Sequence, residues 1–138
     1  MPFPSRSDYE ALIYSLPQDH SDLIQESTLR LFSTSALTGK LEGEIRFNRG
    51  LTLKVREFID FKVARIVDYS YTLFRHGQKI RWYDPQPHPE VRELADTFPH
   101  HFHEEPDIKH NRKPAPGISF DAPNLPALIN AIIELNRK

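Results

Sequence analysis

Cysteine is absent from this chain, which excludes disulfides, thiolate catalysis and cysteine-ligated zinc together. Net charge is nearly absent too: 18 Lys and Arg against 19 Asp and Glu leave a formal −1 and a pI near 6.7. No global basic field therefore advertises nucleic-acid binding, although a local patch is enough for it. No apolar run reaches the about 18 residues of a membrane span, and no signal-peptide pattern stands at the start. The expectation is a soluble, cytoplasmic protein with no membrane partner. Glycine is scarce at five residues while proline reaches twelve, so connections are stiff and left-handed turn positions few. A length of 138 residues suits one domain able to bury a core of its own. Within it the sequence divides into an N-terminal helix and linker (1–25), a strand-rich stretch (26–84), a Pro/His-rich segment (85–123) and a C-terminal helix (124–138).

What is present follows two periods. Ser7 and Glu10 have capping-box spacing, and Tyr9, Leu12, Ile13 and Leu16 then repeat as one face of a helix that Pro17 is expected to stop. From about residue 26 the period falls to two. Leu29, Leu31 and Ser33 alternate with Arg30, Phe32 and Thr34, and Leu41, Gly43, Ile45 and Phe47 with Glu42, Glu44, Arg46 and Asn48. Asn48-Arg49-Gly50 reads as a hairpin turn, and Leu51, Leu53, Val55, Ile59 and Phe61 share one face of the return strand. Residues 63–74, a turn at Arg75-His76-Gly77-Gln78, and residues 79–84 complete the run. Asn124 is placed to cap a helix with Leu125, Leu128, Ile129, Ile132 and Leu135 on one face. The expected fold is α+β: an antiparallel meander of about five strands, with the terminal helices packed on one face.

Two charges interrupt apolar rows. Glu57 falls within Leu51, Leu53, Val55, Ile59 and Phe61, and Arg65 within Val63, Val67, Tyr69 and Tyr71. A turn centred near Phe61 would set Glu57 opposite Arg65. A carboxylate in an apolar row is costly unless paired, so the pair is either structural or a catalytic carboxylate with its arginine.

The densest chemistry lies in Thr97-Phe98-Pro99-His100-His101-Phe102-His103-Glu104-Glu105, with three of the seven histidines in four positions. Histidine changes charge near neutral pH, and three uses compete. In a strand His101 and His103 would point to one side, and Glu104, Glu105, Asp107 and His110 could add metal ligands; no His-x-x-x-His on a predicted helix supports this. Acid–base chemistry without a metal or other cofactor needs a base, an acid and a cation. His100, His101 or His103 with Glu57 and Arg56, Arg65 or Arg81 can furnish that set, and RNA brings its own 2′-hydroxyl nucleophile. Tyr69, Tyr71, Trp82 and Tyr83 can stack on unpaired bases or simply pack. The third use is a switch or partner surface. Residues 104–123 lack periodicity, and their basic knot of Lys109, His110, Arg112 and Lys113 reads as a mobile loop or a ligand-ordered segment.

Several motifs occur together in order: Arg56-Glu57-Phe58-Ile59-Asp60, Tyr69-Ser70-Tyr71, Arg81-Trp82-Tyr83-Asp84, Pro87-His88-Pro89 and Thr97 to His103. In this the chain resembles the TumE family, toxins of type II toxin–antitoxin pairs, over roughly residues 27–133. The resemblance implies growth inhibition by the isolated protein, neutralisation by an antitoxin encoded beside it, usually of helix-turn-helix type, and endoribonuclease activity. It marks Glu57, Tyr69, Tyr71, His88, Pro99, His100, His101 and His103. The chain departs from the family pattern at Thr72, where many relatives have histidine, and in having His88 alone in the proline-flanked segment. The expectation is a metal-independent ribonuclease. Glu57, His100, His101 and His103 would be catalytic, and Arg56, Arg65, Tyr69, Tyr71, Arg81 and His88 would bind RNA. The alternatives are a binding module of the same fold and a metal-dependent hydrolase built on the histidines.

Overall fold

The computed structural model describes residues 3–137; Met1, Pro2 and Lys138, including the end of the expected C-terminal helix segment, lie outside the described residues. Helix α1 (Arg6–Asp19) starts at Ser5, whose hydroxyl accepts from the Asp8 amide at 3.2 Å. The cap thus lies two residues before the predicted Ser7. Pro17 does not stop the helix, which runs on through it to Asp19. In the last turn a proline costs one backbone bond and little else, and the His20 amide still closes onto the Leu16 carbonyl.

Eight strands follow: β1 (Ile24–Ser27), β2 (Arg30–Ser33), β3 (Thr38–Phe47), β4 (Leu51–Asp60), β5 (Arg65–Arg75), β6 (Gln78–Asp84), β7 (His101–Glu104) and β8 (Arg112–Pro114). All pair antiparallel in one sheet, in the order β1-β3-β4-β5-β6-β7-β8, with β2 beside β1 on the same edge of β3. Helix α2 (Leu125–Asn136) ends the described chain. The α+β class and helix-covered sheet match the sequence reading, but the strand count rises from about five to eight. The additions are short. The single first strand divides into β1 and β2, and the Pro/His-rich segment supplies β7 and β8. Strands of three or four residues show too few repeats to display a period, so an existing sheet edge decides them. Residues 104–123 are accordingly no loop throughout, since Arg112 pairs with His103 and Lys113 with Phe102.

Tight turns align the long strands. The β3–β4 turn holds Arg49 at φ 64° and Gly50 at φ 75°; a side chain at Gly50 would meet the His76 ring, so only glycine fits. His76 and Gly77, both left-handed, make the two-residue β5–β6 turn.

Paired residues of an antiparallel ladder point to the same side. One side of the sheet presents Leu41, Ile45, Leu53, Val55, Ile59, Tyr71 and Leu73, all buried, to Tyr9, Ile13 and Leu16 of α1 and Leu125, Leu128, Ile129 and Ile132 of α2. Among the described residues no helix is long and apolar enough to cross a membrane.

Glu57 sits in this core with no exposure. The Tyr9 and Tyr71 hydroxyls donate to its two carboxylate oxygens, and Asn124 Nδ2 donates to the Tyr71 oxygen at 3.0 Å. Asn124 therefore does not cap α2 with its side chain; it accepts from the Ser119 amide and donates to the Ser119 carbonyl instead, both at 2.9 Å. Burial raises the Glu57 pKa from 4.5 to about 7, against the two tyrosine hydrogen bonds, which lower it. Between pH 4.5 and 7 the folded state holds a proton that the unfolded chain has released, so this group's contribution falls as pH rises. Glu57→Gln cannot ionise. Its stability relative to wild type is expected to improve by on the order of 3 kcal/mol between pH 4.5 and pH 8. Urea unfolding of both proteins across that range checks this, and a pH-independent difference would contradict it.

Candidate functional site

The opposite side of the sheet collects different residues. Arg56 pairs with Ser70, Thr72 with Trp82, Trp82 with His103 and Asp84 with His101. Ladder pairing and the pleat thus place Arg56, Ser70, Trp82, Asp84, His101 and His103 on one face, away from the helices. The expectation that His101 and His103 point to one side holds. Both are nearly sealed, at 1% and 4% exposed, and Asp84 is 7% exposed.

Their geometry converges on a point. His103 Nε2 lies 3.1 Å from His101 Nε2 and 3.1 Å from Asp84 Oδ2, and His101 Nε2 lies 3.4 Å from Asp84 Oδ1. The far nitrogen of each ring meets a main-chain carbonyl: His101 Nδ1 the Pro99 oxygen at 3.1 Å, His103 Nδ1 the Lys109 oxygen at 3.2 Å. A carbonyl only accepts, so each Nδ1 carries a hydrogen and each Nε2 is the atom turned to the cluster, a lone-pair donor in the neutral form of the ring. Trp82 stacks on His103 at 4.8 Å, and His88 stands edge-on to His101 at 5.0 Å. Burial holds the His103 pKa below its ordinary value, although Asp84 pulls the other way.

Beside the cluster opens a cavity of about 510 Å³, lined by Arg56, Ser70, Trp82, Asp84, Tyr69 and Phe120 among others. Trp82 Nε1 donates to Ser70 Oγ at 3.2 Å, fixing that wall. Arg112, paired with His103, adds a cation to this face, and its buried Nε has no hydrogen-bond partner among the described residues.

The predicted site residues separate by face. His100 leaves the cluster: its Nδ1 meets the Tyr69 hydroxyl at 2.5 Å, and its ring packs on Tyr69 and Phe120. Burial lowers its pKa. Tyr69 lines the cavity, with its own pKa raised by burial. Glu57 and Tyr71 lie on the helix side, bonded to each other within the core. Arg81 is also on that side, held by Glu104 at 2.7 Å and lying over the Phe102 ring at 4.5 Å. Arg56 is exposed and faces the cavity.

Arg65 is not opposite Glu57. Tyr69 takes that position, and Arg65 pairs with Asp60. Phe58 pairs with Asp68 and Ile59 with Ile66, so Val67 is an extra residue that bulges out of β5. The bulge turns Ile66 into the core, leaves Val67 58% exposed and frees Arg65 to lie 5.2 Å over the Phe120 ring. A strand in regular register would have buried the guanidinium, which makes the bulge the less costly solution.

Sequence reasoning missed Asp84 as a site residue. Its signal was its position two residues after Trp82, but its partner strand β7 was not predicted, and without that register no face could be assigned.

A family model described as Toxin TumE matches residues 13–136. No curated protein and no solved structure matches the chain.

Arg65→Ala separates the observed register from the expected one. With Arg65 outside the core, the substitution should change unfolding free energy by no more than about 0.5 kcal/mol. Loss of a buried partner of Glu57 would cost roughly 3–5 kcal/mol, and chemical denaturation distinguishes the two.

Proposed function

The chain belongs to the TumE toxin family, and from that premise we propose that it is an endoribonuclease whose reaction face is the helix-free side of the sheet. As a toxin of a toxin–antitoxin system it has an antitoxin as its partner; a helix-turn-helix type of antitoxin is part of the proposal, as is RNA as substrate.

One observation supports the reading above the others. Asp84 lines an open cavity together with Arg56, and His101 and His103 meet its carboxylate from the buried side. Strand cleavage of RNA requires a cation for the phosphate and a polar centre within reach of the 2′-hydroxyl or the leaving oxygen. A guanidinium suits phosphate because its donors match two oxygens at once. Arg56 is exposed, with its guanidinium over the Phe58 ring at 5.6 Å and Glu42 opposite it on β3, and among the described residues it makes no salt bridge. Arg112, with a buried donor unpaired, is a second cation on that side. Ser70, Trp82 and Phe120 form a wall on which a nucleotide can lie.

This reading redistributes the expected roles. Asp84 replaces Glu57 as the carboxylate, because Glu57 faces the core and touches no histidine of the cluster. Arg81 and Tyr71 leave the RNA-binding set for the same reason. His88 stays at the centre's rim beside His101. The chain's departure at Thr72 falls on the same face, paired with Trp82.

Induced expression tests the proposal. Wild type is expected to arrest growth and fragment total RNA, whereas the double variant His101→Ala/His103→Ala does neither. Arg56→Ala is expected to slow RNA loss by about tenfold or more, the loss of one charge-assisted contact to phosphate. Arrest without RNA loss would replace the ribonuclease reading with inhibition by binding.

A further inference from the structure

We propose that Asp84, His101 and His103 form a binding site for a divalent transition-metal ion of the zinc class. The site stands on coordination geometry and not on the ribonuclease reading.

With Nδ1–H of both rings directed to the Pro99 and Lys109 carbonyls, the neutral rings present both Nε2 lone pairs to one point, and the Asp84 carboxylate is a third donor group. Three such atoms at van der Waals contact or closer repel unless a proton or a cation lies among them. The separations fit a cation. Donors bound to one ion at about 2.0–2.2 Å lie roughly 2.8–3.6 Å apart at tetrahedral or neighbouring octahedral positions. The two Nε2 atoms are 3.1 Å apart, and each has its own Asp84 oxygen in that range, Oδ2 at 3.1 Å from His103 and Oδ1 at 3.4 Å from His101.

The surroundings suit metal ligation as well. A ligating imidazole donates its other N–H to a carbonyl or carboxylate, which fixes the tautomer and aims the ring. Both rings here have that second contact before any ion binds. Trp82 against His103 and His88 against His101 limit ring rotation. Asp84 Oδ1 is itself anchored by the Gln86 amide at 2.8 Å. Two nitrogens and a carboxylate oxygen, with no thiolate, favour zinc, manganese or iron over soft ions. Three protein ligands leave at least one position open, the arrangement of sites that bind water or a substrate oxygen. Asp84 also lines the cavity, so an open position has a route to solvent.

Residues distant in sequence build this site. Asp84 ends β6, while His101 and His103 lie on β7. It does not use Glu104, Asp107 or His110, which the sequence left open as additional ligands: Glu104 is bonded to Arg81 and Lys113, and His110 pairs with Asp107 in the following turn.

The test uses the full chain, freed of metal with chelator and titrated with Zn²⁺ alone. Calorimetry should give one ion per chain, and emission of the single tryptophan should change, since Trp82 stacks on a ligand. His101→Gln and His103→Gln should each weaken binding about a hundredfold or more, while His110→Gln binds as wild type does. Folding of each variant is read by circular dichroism. If a variant fails to fold, Co²⁺ on the wild type decides, because ligation by protein nitrogen and oxygen shifts and intensifies the visible d–d band, whereas Co²⁺ left in solution keeps the weak band of the aqua ion. Absence of both Zn²⁺ binding and the Co²⁺ band would overturn the site, as would wild-type affinity in a folded His101→Gln/His103→Gln protein. Metal binding without RNA fragmentation would overturn the ribonuclease reading alone. RNA fragmentation by a chain that binds neither ion would overturn the metal site alone.

Discussion

A carboxyl group sealed from water fixes the architecture of this protein. Glu57 has no exposure, and a buried carboxyl without partners costs several kcal/mol. Its oxygens must therefore be met by donors that reach into the core. Tyr9 comes from α1, Tyr71 from the next strand, and Asn124 extends the contact to the start of α2. Apolar packing of Leu, Ile and Val holds the helices on the sheet but is indifferent to small shifts, because the hydrophobic effect has no direction. The Glu57 network is directional, and it ties both helices and the Ser119 turn to one atom group.

The pleat then divides the chemistry. With successive side chains on opposite sides, the sheet has a closed face, stabilised by Glu57, Tyr71 and the Arg81–Glu104 pair, and a face without helices where Arg56, Trp82, Asp84, His101 and His103 gather. Residues adjacent in sequence thus serve different ends. Arg56 faces the cavity while Glu57 beside it holds the core, and His100 packs on Tyr69 while His101 joins Asp84. On that second face Arg56 is exposed, whereas His101 and His103 are nearly sealed and only Asp84 of the three lines the cavity.

The alternating rows of β3, β4 and β5, both hairpin turns and the buried stripe of α2 were legible in the sequence, because each element is long enough to repeat its period. That His101 and His103 share a side was legible from their spacing of two alone, once that stretch is taken as extended. The bulge at Val67 was not: one extra residue leaves composition unchanged and reverses the face of everything before it. Strands β7 and β8 were not legible either, since His101–Glu104 and Arg112–Pro114 are too short and too polar to announce themselves.

The sequence by itself determined the class of fold, the family, and which side chains can do chemistry here, because these depend on local periodicity and on residue types in order. Only the tertiary structure decided which of them work together. Glu57 left the histidines for the core and Asp84 took its place beside them, because proximity depends on strand register, and register is set by pairing between segments far apart in the chain.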